Sequence, residues 1–236
     1  MSHDKGPDDL ARHFYDGQWQ GSPETVSGKG SSLAYTGNLR RRLPHILRRL
    51  EIHTLVDAPC GDFNWMSQVR LGKVDYLGID IVPDIIARNQ ERHPKRRFMV
   101  GDITKDPLPA CDLMICRDCL FHLPYRNIAD WMANVAACGP RYLMVTSIPR
   151  GKNLDIDRPG RFRQLDMTRP PFRFEKPEHR NIVRDAPEGE RPRHMLIFSE
   201  EDYLKALSPE AIEAVRTFSA PFANHKATAI PPAASV

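Results

Sequence analysis

Five short apolar runs, each followed by a turn or a helical stretch, constrain this chain more than any other feature. They are HTLVDA (53–58), VDYLGID (74–80), RFMVGD (97–102), DLMICRD (112–118) and RYLMVTSI (141–148). Short, nearly continuous apolar runs predict strands buried on both faces. Between several of them lie helical patterns. One runs from Asp84 to Arg92; another runs from Asn127 to Ala137, with Ile128, Trp131, Met132 and Val135 on one side. Leu39, Leu43, Ile46, Leu47 and Leu50 predict an amphipathic helix over 38–50, which Pro44 either starts or kinks. Arg40, Arg41, Arg42, Arg48 and Arg49 crowd its polar side and read as a solvated face. Strands alternating with helices predict an α/β fold with a mostly parallel sheet and helices on both faces. A ligand of such a sheet sits at the carboxyl ends of the strands.

The chain divides into an arm over 1–37, a main domain over 38–220 and a tail over 221–236. The first thirty residues are polar and rich in Gly, Ser and Asp, which predicts a loose arm. Within the domain, 149–193 breaks the alternation: it holds seven prolines and twelve Arg or Lys, with little periodicity. It predicts a long basic insertion after the fifth strand, on the substrate side. HMLIFS (194–199) then returns to the sheet, and 201–218 resumes helical character with Pro209 dividing it. A content of 41% hydrophobic residues can build a core, and no run of about 18 apolar residues suggests a membrane helix. The polar N-terminus lacks a signal-peptide pattern, and five unpaired cysteines suit a reducing compartment. The expectation is a cytoplasmic protein, monomer or homodimer. Its net charge of +4 permits an anionic ligand and does not call for nucleic acid.

The chemistry concentrates at strand ends. In LVDAPCGDFNWM (55–66) a strand ends in Asp57 and a turn follows in which Gly61 lets backbone approach a ligand. A helix is predicted to start near Asp62 or Asn64. Asp80 closes the second run and Gly101-Asp102 the third. An acid after the second strand suits the two hydroxyls of a ribose. The first loop lacks a phosphate-binding glycine triad, which argues against a nicotinamide-dependent oxidoreductase.

This pattern resembles the class I, Rossmann-like methyltransferases that use S-adenosylmethionine. Pro59 stands where that family usually has a glycine. GKGSSLAYT (28–36), DAPCGDFNWM (57–66), CRDCLFHLP (116–124), NLDI (153–156) and DMTRPPFRF (166–174) are similar to a bacterial branch of it. The resemblance implies a seven-stranded sheet and S-adenosyl-L-methionine as cofactor, leaving S-adenosyl-L-homocysteine. It implies that Asp57 and Gly61, with Ala58 and Pro59, hold the methionine part. Asp80 and Ile81 would take the ribose, and Asp102 and Ile103 the adenine.

CRDCLFHLP follows the fourth strand, so Arg117, Asp118 and His122 should face the reaction centre. His122 is a candidate base, or else a capping residue; Asp118 would orient it or hold the acceptor. Arg117 is expected at the cofactor, and Trp65 is either core or a cofactor contact. Cys116 and Cys119 lack a second ligand pair, so no metal is expected. In the arm, Ser31 and Thr36 are expected at the methionine carboxylate and Tyr35 over the sulfonium, with helix capping as the plain alternative. In the insertion, Asn153, Asp155, Arg163 and Asp166 are expected near the acceptor, or else in local turns. Its Arg150, Lys152, Arg158, Arg161, Arg163, Arg169 and Arg173 suggest an anionic acceptor, although eight acids between 150 and 193 must pair with some of them. The expected reaction is methylation of an oxygen or nitrogen on a small metabolite. The rivals are an RNA or protein methyltransferase and a non-catalytic binder of the same cofactor.

Overall fold

A computed structural model of the protein describes residues 23–218; the first part of the arm and the tail lie outside the described residues. The strands are β1 Thr54–Asp57, β2 Asp75–Asp80, β3 Arg97–Val100, β4 Leu113–Cys116, β5 Tyr142–Ser147, β6 Ile182–Arg184 and β7 His194–Ser199. The helices are α1 Gly37–Arg49, α2 Pro83–Arg92, α3 Tyr125–Cys138, α4 Glu200–Leu204 and α5 Pro209–Arg216. One seven-stranded sheet has the order β3-β2-β1-β4-β5-β7-β6. Strands β1 to β5 pair in parallel, and β7 runs antiparallel to both β5 and β6. This is the mostly parallel sheet the alternation predicts, in the seven-stranded, Rossmann-like form the resemblance implies.

Successive residues of a strand point to opposite faces, so a strand buried on both sides must be apolar throughout. In β4, Met114 and Cys116 pack with α3 through Ile128, Trp131, Met132 and Val135. Leu113 and Ile115 pack on the other face with α1 through Leu39, Leu43, Ile46 and Leu47. Pro44 sits inside α1 without ending it. Helix α3 stops at Gly139, whose left-handed φ of 61° suits a glycine C-cap. Ser208 caps α5 by accepting from the Ala211 amide, with Pro209 in the first helical turn.

One expectation needs correction. No α-helix follows β1: the loop gives only a 3-10 turn over Met66–Gln68. Trp65 and Met66 are buried there, in the apolar cluster that also holds the inner face of α1. Within the basic insertion, where the sequence singles out no strand, Ile182–Arg184 forms the edge strand β6. The insertion contributes to the core as well. Ile156, Leu165, Met167, Phe172 and Phe174 are all buried, and Ile148 N–H donates to Leu165 O at 2.6 Å. Among the described residues no helix is long and apolar enough to cross a membrane.

Candidate functional site

A cleft of about 450 Å³ opens at the carboxyl ends of β1 to β4, the edge where open α/β sheets bind ligands. The turn after β1 runs over neighbouring strand ends: Ala58 N–H donates to Ile115 O and Cys60 N–H to Ile79 O. Gly61 has φ 56°, and a Cβ there would stand 2.5 Å from Ser27 Oγ. Only glycine fits both the backbone and the arm that lies on it. The arm is tied to this turn by Asp62, which accepts from Val26 N–H at 2.8 Å and from the Ser27 hydroxyl at 3.1 Å.

Three carboxylates stand in a row along the sheet edge. Asp57 is 1% exposed and accepts from the Tyr76 phenol at 3.0 Å. Burial pushes it up to about 7, against the Tyr76 bond and the nearby Arg117 charge. Asp80 accepts from Gly61 N–H and Val82 N–H, one to each oxygen; burial raises its pKa against those two bonds. Each oxygen of an ionised carboxylate has capacity for a second donor. Asp102 Oδ1 accepts from Thr104 N–H and its hydroxyl. Its Oδ2 is buried and makes no hydrogen bond; the Lys105 ammonium is 3.6 Å away, in ion-pair range only.

Across the cleft, the end of β4 is built around charge. Arg117 Nε donates to Asp185 Oδ2 at 2.9 Å, and its Nη2 donates to Asp185 Oδ1 and to Gly30 O of the arm. Burial works against the Arg117 charge, but Asp118 and Asp185 outweigh it and hold the guanidinium protonated. Asp118 has φ 53° and pairs with Arg193 at 2.8 Å. It also accepts from the Thr146 hydroxyl at 3.3 Å. Arg193 lies over the Tyr35 ring at 4.4 Å. His122 is buried, and its Nδ1 is 3.1 Å from Arg161 O. A carbonyl only accepts, so Nδ1 carries a proton. Burial lowers the His122 pKa to about 4, opposed by that bond and by Asp118. The ring is neutral near pH 7.

Of the residues singled out from the sequence, Asp57, Pro59, Gly61, Asp80, Ile81, Asp102, Ile103, Arg117, Asp118, His122, Trp65 and Ser31 line this cleft. Trp65 does so with the Arg117 guanidinium 5.2 Å from its ring centre. Ala58 is buried under the turn and does not line it. Thr36 turns inward, donating to Ser32 O and accepting from Arg40. Tyr35 stacks with Arg193 rather than lining the cleft.

The four insertion residues lie elsewhere. The Asn153 side-chain amide bonds the Asp166 backbone both ways, accepting from its N–H at 2.8 Å and donating to its carbonyl at 2.9 Å, while the Asp166 carboxylate accepts from Arg150 N–H and Thr168 N–H. Asp155 accepts from Tyr125 N–H, at the start of α3. Arg163 is buried over the Tyr125 ring. Asp166 makes a local bond to Thr168, whereas Asn153 and Asp155 tie the insertion to more distant backbone, 13 and 30 positions away. The insertion meets the cleft instead through Phe162 and Arg193. Asp185, which holds Arg117 and Arg193, was not singled out. The signal for it is an Arg at the end of a buried strand, which requires a counter-charge from somewhere.

Residues 56–138 match a family profile described as a methyltransferase domain. No curated protein matches the sequence. The fold is similar to that of magnesium protoporphyrin IX methyltransferase ChlM from Synechocystis PCC 6803, solved with bound SAM. Identity is 12%, with 84% of this chain and 98% of that one covered and a TM-score of 0.54. It is also similar to the methyltransferase domain of bacterial CtHen1 (13% identity, 69% and 96% covered, TM-score 0.52). A third similar structure is the S-adenosylmethionine-dependent methyltransferase SibL in its apo form (14% identity, 82% and 69% covered, TM-score 0.52). At these identities the likeness is one of fold. The matched segment carries β1 to α3, and with them every strand-end acid of the cleft.

Proposed function

We propose that this chain, with its S-adenosylmethionine-dependent methyltransferase domain, transfers a methyl group to an oxygen or nitrogen of a small acceptor. One observation carries the reading. Asp57, Asp80 and Asp102 follow three adjacent strands of one edge, and each keeps acceptor capacity on the cleft. Asp102 Oδ2 is a buried acceptor without a hydrogen bond, which fits the amino group of an adenine. Asp80 keeps acceptor capacity beyond its backbone partners, which fits a ribose hydroxyl. Asp57 is desolvated, and an ammonium group would compensate it. A pyrophosphate would meet carboxylates here, so a dinucleotide fits poorly.

When bound, S-adenosylmethionine supplies an electrophilic methyl group on a sulfonium and leaves as S-adenosylhomocysteine. The protein's contribution is mainly alignment and exclusion of water. Arm residues Val26 to Ser31 line one side, held by Arg117 through Gly30 O. His122, neutral and fixed through Nδ1, is the candidate to receive the acceptor's proton. Asp118 is committed to Arg193 and serves positioning. An anionic group on the acceptor would find one insertion guanidinium on the cleft, Arg193.

The test is calorimetric titration of S-adenosylmethionine, S-adenosylhomocysteine and NADH, with Asp80→Ala as control. Micromolar binding of both adenosyl compounds, lost in the variant, is the expected result. Equal or better binding of NADH, or none of either adenosyl compound, overturns it.

A further inference from the structure

We infer that Phe121, His122 and Phe162 form an acceptor subsite for a neutral, flat aromatic compound bearing the hydroxyl that is methylated. This rests on the cofactor reading above. The three acids occupy the β1-to-β3 side of the cleft, which leaves the β4 side for the acceptor. That side is aromatic. Phe121 lies 4.5 Å from the His122 ring and 5.2 Å from Phe162, both edge-on, and Phe162 lies 5.9 Å from His122. These separations match the spacing that aromatic rings prefer.

Phe162 is 53% exposed although it lines the cleft, so a large apolar ring is offered to whatever enters. Its placement is built in. The chain on either side is bonded to the turn carrying His122: Gly160 N–H donates to His122 O at 2.8 Å and Arg163 N–H to Phe121 O at 3.1 Å. His122 Nδ1 adds a third tie, to Arg161 O. The ring is therefore held over the aromatic wall from both sides.

Charge argues for a neutral acceptor. Arg150, Lys152, Arg158, Arg161, Arg163, Arg169 and Arg173 do not line the cleft. Arg193 does, but Asp118 pairs with it at 2.8 Å and Tyr35 covers it; Lys29 of the arm also lines the cleft and pairs with Glu190 at 2.9 Å. Arg117 is balanced by Asp185. In the reaction the acceptor oxygen bonds the methyl carbon as the carbon–sulfur bond breaks. The electron pair stays on sulfur, and the hydroxyl proton passes to His122 and then to water.

The experiment uses the full chain saturated with S-adenosylhomocysteine, titrated with 2-naphthol, its saturated counterpart 2-decalol and 2-naphthoate. S-adenosylhomocysteine binding, measured first on every variant, reports the cofactor reading separately. The expected result is 2-naphthol binding about tenfold or more tighter than 2-decalol. Phe162→Ala should weaken it about three- to tenfold, the range of one aromatic contact, while Phe162→Trp retains it. Equal binding of 2-decalol, an unchanged Phe162→Ala, or a tenfold preference for 2-naphthoate overturns the aromatic subsite while the cofactor reading stands. Failure of S-adenosylhomocysteine to bind wild type overturns both.

Discussion

Asp57 offers the sharpest check on the cofactor reading, because its protonation and its proposed ligand compete. Burial raises its pKa to about 7 in the free protein, with the Tyr76 bond and Arg117 opposing. An ammonium group binds only the carboxylate, so S-adenosylhomocysteine must displace whatever proton Asp57 holds. With a free-protein pKa near 7 and a much lower one in the complex, affinity should fall about tenfold between pH 8 and pH 6. At pH 7 binding should release about half a proton from this group, read by calorimetry in phosphate and Tris, whose ionisation enthalpies differ.

Stability of the free protein runs the opposite way with pH. A carboxyl with a raised folded pKa keeps its proton in the folded state after the unfolded chain has lost it. The free protein therefore loses stability as pH rises from about 4 to about 7, by about 4 kcal/mol from Asp57 alone. Bound ligand should remove that loss. Asp57→Asn should flatten the affinity profile, leaving the smaller slope that Asp80 contributes through its own raised pKa. A wild-type profile flat from pH 6 to 8, or one the variant reproduces, refutes the pairing of Asp57 with a cationic ligand group.

Four further outcomes are expected. His122→Ala should lower kcat about 10²- to 10⁴-fold if the ring takes the acceptor proton. Because burial lowers its pKa to about 4, the wild-type rate should stay level from pH 8 to about 5 on its account and fall as the ring protonates. An inflection near 6.5 that His122→Ala abolishes would refute a buried neutral base. Asp185→Ala strips a fully buried guanidinium of its two-point partner and should cost about 3–5 kcal/mol in urea denaturation. Glu190→Ala breaks an exposed pair with Lys29 and should stay within about 1 kcal/mol; equal effects would sink the assignment of Arg117 as the structural anchor.

The parts of the molecule that were legible in advance obey rules of local spacing. Strands β1, β2, β4 and β5 are buried on both sides, so their interiors are apolar up to the carboxyl-terminal residues, where β5 turns polar at Thr146. Their carboxyl ends are where the chain first becomes polar, so Asp57 and Asp80 announce themselves as site residues. Strand β6 did not, because three residues at a sheet edge leave no periodicity to read. The α-helix expected after β1 is replaced by a 3-10 turn over Met66–Gln68, with Trp65 and Met66 buried at its start.

The acceptor side was harder to read for a physical reason. Charges along 149–193 look like a ligand patch when counted along the chain, but a guanidinium spends itself on whichever carboxylate the fold brings near. Arg117 and Asp185 are 68 positions apart, and Arg193 and Asp118 are 75 apart. No window of sequence contains either pair. Once they form, the net charge of the β4 end is cancelled, and the residue left facing the cleft from the insertion's centre is Phe162. A basic insertion thus meets the cleft through one apolar ring and one paired guanidinium, because the fold places its other cations off the cleft and pairs Arg193 with Asp118.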